Sequence, residues 1–184
     1  MIKIIDLSIR FNDHIVFDHF SYDVPLTGNT VLRGASGSGK TTLIRILAGL
    51  LKPNSGSVSG LEDLQPAIVF QEDRLLPWHS TLKNVALVSN SKKAELVLTH
   101  LGLGDFLHVK PAALSGGMNR RVAIARALAL GGDIFLLDEP FSGLDENAKR
   151  LTADVLHATG VPLIAIVHSD SEAVLINPQT ILQV

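Results

Sequence analysis

The chain has 184 residues, enough for one domain with a substantial buried core. Hydrophobic residues make up 46% and charged residues 18%, and the formal net charge is -2, so binding to nucleic acid or an anionic membrane surface has no electrostatic support. Cysteine is absent, which excludes disulfides and thiol-ligated metals and fits a cytoplasmic setting, and no apolar run approaches the ~18 residues of a membrane helix.

In chain order, residues 2–9 and 16–24 alternate like strands around a polar turn at Asn12-Asp13, so an antiparallel β portion comes first. Residues 30–33 form a short strand that runs into Gly34 and a glycine-rich turn. Residues 40–50 read as an amphipathic helix, closed by Gly49 and then by Pro53 and Gly56. Residues 67–70 are a buried strand. From about residue 72 to residue 130 the period turns helical, with Leu82, Val85 and Ala86 and then Leu96, Val97, His100 and Leu101 in register. Residues 134–137 are an apolar strand ending in Asp138-Glu139. A helix over 148–159, a strand over 162–167 and a short strand over 180–183 complete the chain. Strands alternating with helices predict an α/β fold with a mainly parallel central sheet. The whole of 1–184 is read as one domain, with a helical subdomain inserted at about 72–130.

Gly34-Ala35-Ser36-Gly37-Ser38-Gly39-Lys40-Thr41 matches G-x-x-x-x-G-K-[ST] at every fixed position, between a predicted strand and a predicted helix. Glycines allow dihedrals closed to other residues, so several backbone N–H groups can converge on one phosphate chain. The following helix adds its positive dipole end. Lys40 is expected to reach the β- and γ-phosphates, and the Thr41 hydroxyl to ligate Mg²⁺. This loop implies a nucleotide triphosphatase of the P-loop type without choosing among kinases, GTPases and ATPases.

The strand ending in Asp138-Glu139, if beside the phosphate-loop strand, would put Asp138 on the Mg²⁺ side and leave Glu139 to orient or deprotonate an attacking water. A buried strand followed by a charged turn fits the same residues, given Pro140 and Gly143. Ser115, before Gly116 and Gly117, suits a helix entrance and a second anion site, or simply a cap.

The order GASGSGKT, Gln71 after a strand, LSGGM at 114–118, IFLLDEP at 134–140, SGLD at 142–145 and His168 after a strand resembles the ATP-binding cassette of ABC transporters, from about residue 2 to residue 168. The resemblance implies an ATPase with ATP and Mg²⁺ as its ligands. It implies two cassettes packed head to tail, with each ATP between the phosphate loop of one (Gly34 to Thr41, with Thr42) and Ser115, Gly116 and Gly117 of the other. It further assigns Gln71 to sensing Mg²⁺ and water, Asp138 to Mg²⁺, Glu139 and His168 to catalysis, Asp145 to the dimer interface and Phe11 to stacking on adenine.

Residues 69–78 (VFQEDRLLPW) resemble importers of the nitrate, sulfonate, taurine and thiamine-precursor type. The expected partners are a transmembrane permease, a second cassette and a substrate-binding protein, with the chain peripheral on the inner face of the cell membrane. Trp78 and its neighbouring leucines would either help receive a permease helix or pack the helical subdomain. ABC-type ATPases of DNA repair or translation usually add a long coiled coil or a second cassette, and neither is present. A module that binds ATP without hydrolysing it is disfavoured by Asp138, Glu139 and His168.

The sequence departs from the family at Met118, where glutamine is usual; Met lacks the amide's hydrogen bonds and puts a partner-side ribose contact in doubt. The stretch from Gln71 to Ser115 is short, which predicts a trimmed helical subdomain, and the chain ends soon after His168 with no regulatory tail expected. Arg33 is a charge where an apolar strand residue is expected, which suggests the end of the sheet.

Overall fold

A computed structural model describes all residues, 1–184. A hairpin of β1 (Ile2–Phe11) and β2 (His14–Val24) pairs with β4 (Ser55–Ser59) to make a three-stranded antiparallel sheet in the order β2-β1-β4. In β1 the buried side chains are Ile2, Ile4, Leu7 and Ile9, a series that skips one residue after Ile4. Asp6, at φ 53°, absorbs the extra residue where the pairing register with β2 shifts. His19, at φ 52° on the facing strand, brings Nδ1 within 2.6 Å of the Asp6 carboxylate. That hydrogen bond raises the imidazole pKa.

The second sheet contains β3 (Thr30–Arg33), β5 (Pro66–Val69), β6 (Ile134–Asp138), β7 (Leu163–Ile166) and β8 (Thr180–Gln183), all paired in parallel in the order β5-β6-β7-β3-β8. The expected adjacency of the Asp138 strand and the phosphate-loop strand is corrected here: β7 lies between β6 and β3. Alternate residues divide between two cores. Ile134, Leu136, Ile164, Ile166 and Leu32 face α1 (Lys40–Leu47), which is packed between the two sheets through Leu43, Ile44, Ile46 and Leu47. Phe135, Leu137, Leu163, Ala165 and Val31 face the remaining helices.

Those helices are α2 (Thr81–Ala86), α3 (Ser91–His100) and α4 (Gly116–Leu130), all between β5 and β6, then α5 (Glu146–His157) and α6 (Asp170–Ile176). Val85, Ala94, Leu98 and Val122 share one continuous core with the sheet, so the 81–130 segment has no separate hydrophobic centre. Its α3 face differs from the expected register. Ala94, Leu98 and Leu101 are buried, while Leu96 and His100 are exposed. Counting only large apolar residues missed Ala94, the small residue that sets the buried i, i+4 stripe with Leu98.

α1 ends at Leu47 rather than residue 50, and Leu50 is exposed. β4 and α6 were not anticipated. β4 (SGSVS) carries one apolar residue and exists through pairing with β1, with Val58 opposite Ile4. α6 spans seven residues, too short to show a period, and begins with a capped entrance: Ser169 Oγ accepts from Glu172 N–H, and the Glu172 carboxylate accepts from the N–H of His168, one residue before the cap. No helix is long and apolar enough to cross a membrane.

Candidate active site

The phosphate loop follows β3 and ends at Gly39, which precedes α1 at φ 102° with no side chain capping the helix. A Cβ at Gly39 would lie 2.6 Å from Val16 Cγ1 and 2.8 Å from Phe17 Cζ, so β2 packs where any other residue would project. The first-turn N–H groups of α1 thus have no side-chain acceptor and form an anion site. Lys40 Nζ donates to Gly34 O at 3.0 Å, Ala35 O at 2.6 Å and Ser38 Oγ at 3.4 Å, so these three residues hold the ammonium over the loop.

Asp138 ends β6 and is buried. Burial raises its carboxyl pKa above the ordinary value, and Glu139 pushes the same way. The neighbouring Thr41 hydroxyl and the charges of Arg120 and Arg45 oppose the shift. Its Oδ1 has no hydrogen-bond partner. A buried carboxylate oxygen without a donor, beside a threonine hydroxyl at the end of the phosphate loop, fits a magnesium ion.

Glu139 has a left-handed backbone, φ 53°, and its carboxylate lies 2.7 Å from His168 Nε2. The strained conformation turns the side chain out of the strand, away from the buried path that Asp138 follows. It is held from below, since the Asp138 and Glu139 carbonyls both accept from Arg120. His168, two residues past β7, is fixed from the other side by its N–H, which donates to the Glu172 carboxylate in the first turn of α6.

A cleft of about 310 Å³ brings together part of the phosphate loop, Glu139 and His168; Gly34, Ala35, Ser38 and Asp138 do not line it. Of the residues expected there, Phe11, Ser36, Gly37, Gly39, Lys40, Thr41, Thr42, Gln71, Glu139 and His168 line it. Phe11 is 47% exposed, whereas Phe17 is buried and Phe20 packs against the same core, so Phe11 is the aromatic face available at the cleft. Ser115, Gly116 and Gly117 are not among the lining residues. They open α4, with Ser115 Oγ accepting from Met118 N–H. A Cβ at Gly117 would lie 2.7 Å from Gly143 O, so this turn sits directly against the 142–145 loop, where Asp145 caps α5. Met118 packs against the apolar core. Arg33, at the end of β3, pairs with Asp170 at 2.6 Å at the start of α6.

Sequence reasoning missed His14, Val16 and Ile166 on the cleft wall. His14 pairs directly with Phe11 across the hairpin, and Val16 follows at period two, so the strand alternation carried that signal. Asn84 and Arg120 were also missed. Asn84 is fully buried; its Oδ1 accepts from Leu76 N–H at 2.8 Å, and its Nδ2 contacts the Leu76, His79 and Ser80 carbonyls. Nothing in a single sequence distinguishes such residues from surface polar ones. The loop they help hold divides the residues around Trp78: Leu75 packs on the core, and Trp78 is 64% exposed.

The ABC transporter family pattern matches residues 17–142. The taurine import ATP-binding protein TauB of Rhizobium johnstonii is 39% identical over 184 residues, covering 90% of this chain and 70% of that protein. The aliphatic sulfonates import ATP-binding protein SsuB 2 of Pseudomonas savastanoi pv. phaseolicola is 39% identical over 181 residues, covering 94% of this chain and 67% of that protein. Among solved structures, the ATP-binding cassette MJ0796, in a dimeric post-hydrolysis state bound to ADP and phosphate, superposes with a TM-score of 0.88 at 27% identity, over 100% of this chain and 94% of that one. Motif order, fold and relatives agree: the chain belongs to the ABC transporter family, as one of its ATP-binding, ATP-hydrolysing cassettes.

Proposed function

We propose that the chain powers an importer, and that Glu139 and His168 carry out ATP hydrolysis at a site completed by a second copy. The observation that carries this reading is the 2.7 Å Glu139–His168 contact at the wall of the cleft that Lys40 and Thr41 also line. Phe11 would stack on adenine, a contact that favours a flat ring without reading its edge. The loop from Gly34 to Gly39, Lys40, Thr41 and Thr42 would take the phosphates. Thr41 and Asp138 would hold Mg²⁺ with help from Gln71, and the ion would neutralise charge on the β- and γ-phosphates. Glu139 would accept a proton from the attacking water, and His168 would hold Glu139 and donate toward the γ-phosphate. Ser115, Gly116 and Gly117 lie outside the cleft of their own chain, as residues serving the partner subunit would.

The relatives named for taurine and aliphatic sulfonates support a small sulfonate as the cargo class. The permease, with a substrate-binding protein, would select that cargo, and the chain would sit on the cytoplasmic face of the membrane. Exposed Trp78 would meet the permease. Phosphate release tests the chemistry: Lys40→Ala should lose nucleotide binding, whereas Glu139→Gln should keep it and lose turnover. A Glu139→Gln variant with normal phosphate release would remove Glu139 from the mechanism. The import reading is tested with the purified transporter complex, where taurine or an alkanesulfonate should stimulate phosphate release.

A further inference from the structure

Arg120 lies in the second turn of α4, five residues after Ser115, and is 3% exposed. Its guanidinium forks between two segments. Nη1 donates to Phe70 O at 2.5 Å, to Gln71 O at 3.3 Å and to the Asp73 carboxylate at 3.2 Å. Nη2 donates to Asp138 O and, at 2.8 Å, to Glu139 O. One buried cation therefore fastens the α4 entrance both to the loop bearing Gln71 and to the backbone bearing Glu139. Arg126, farther along the same helix, reaches only the loop, through Asp73 O and Arg74 O.

We propose that Arg120 is a positioning residue that couples the two nucleotide sites of a dimer. The inference rests on the shared-site reading above. In that reading Ser115 to Gly117 face the partner's nucleotide, while Gln71 and Glu139 serve the chain's own. Closure on the partner's γ-phosphate then shifts α4, and the planar fork of Arg120 transmits the shift to both segments at once. A lysine cannot reproduce this, because a compact ammonium has no rigid fork to span two sets of carbonyls.

The test uses Arg120→Lys and Arg120→Gln, with Arg126→Gln as the one-sided comparison. Monomer affinity for Mg-ATP should stay within about twofold, because the phosphate loop is untouched. Turnover should fall about tenfold or more, as a misplaced catalytic group implies. The Hill coefficient for ATP should fall from about two towards one. Amide exchange at residues 70–74 and 138–141 should rise together in both Arg120 variants, and at the first segment alone in Arg126→Gln. A purely structural arginine predicts that Lys restores turnover along with melting temperature; that result, or wild-type turnover and Hill coefficient in both Arg120 variants, overturns the proposal. Should the wild-type chain show no ATP-dependent dimer, the shared-site reading fails separately. Exchange then still decides whether Arg120 joins the two segments: a rise in both supports the clamp, and a rise in one or neither overturns it.

Discussion

Gly116 and Gly117 are adjacent on α4, yet alanine should act on them with opposite sign. Around Gly116 there is open space, with no atom within 4 Å of an added Cβ. Alanine there gains helix propensity, up to about 1 kcal/mol. At Gly117 the new Cβ would sit 2.7 Å from Gly143 O and 3.4 Å from Leu144 Cδ2, and the nearer atom is backbone that cannot rotate away. Forcing that contact costs about 1–3 kcal/mol, against the same propensity gain of up to about 1 kcal/mol, which leaves a net loss of up to about 2 kcal/mol. For a chain of this size each kcal/mol moves Tm by about 2–4 °C. Gly116→Ala should therefore melt up to about 4 °C higher and Gly117→Ala up to about 8 °C lower, by calorimetry, with urea midpoints shifted in the same directions. Function should separate from stability at Gly116. Its Cβ would stand on the surface proposed to meet the partner's phosphate, so the stabilised variant should lose ATP-driven dimerisation. A Gly117→Ala variant more stable than wild type, or a Gly116→Ala variant less stable than wild type, would refute the packing argument.

Asn84→Ala strands the part-buried Leu76 N–H, while the Leu76 carbonyl keeps the His79 N–H, and should cost about 2 kcal/mol, read as a lower urea midpoint and faster amide exchange over residues 76–80. Asp138 gives a pH-dependent prediction. Its folded pKa is raised by burial, so the folded state holds that proton more tightly than the unfolded chain; stability from this group grows as pH falls through the window between the two pKa values and is lost as pH rises through it. Asp138→Asn should accordingly melt no lower than wild type at neutral pH without nucleotide, while losing Mg-ATP turnover. A marked drop in its melting temperature would contradict the desolvation argument. His168→Ala removes the 2.7 Å contact to Glu139 and should lower turnover about a hundredfold, a larger loss than in nucleotide affinity measured by equilibrium titration.

Much of this site was legible because its chemistry is local in sequence. The phosphate loop needs glycines at fixed spacing, Asp138-Glu139 needs an apolar strand before it, and Ser115 reads as a cap before a long helix. What sequence concealed depends on tertiary pairing. The place of β7 between β6 and β3 follows from crossover geometry, which no residue of β6 announces. β4 holds only Val58 as an apolar residue and is a strand because β1 offers it an edge. Arg120 reaches backbone carbonyls 49–50 residues before it and 18–19 residues after it, and Asn84 reaches carbonyls 4–8 residues before it, so their importance appears only once the chain is folded. Arg33 was conspicuous as a charge, and its partner Asp170 begins a helix too short to detect by period.

The most direct test of the shared-site account is the solution mass of Glu139→Gln by light scattering, with and without Mg-ATP. The monomer mass is 19.7 kDa. A shift to about twice that value on adding Mg-ATP, abolished by Gly116→Ala, is the predicted result. A variant that saturates with Mg-ATP and stays at the monomer mass would contradict a nucleotide site completed by a second copy of the chain.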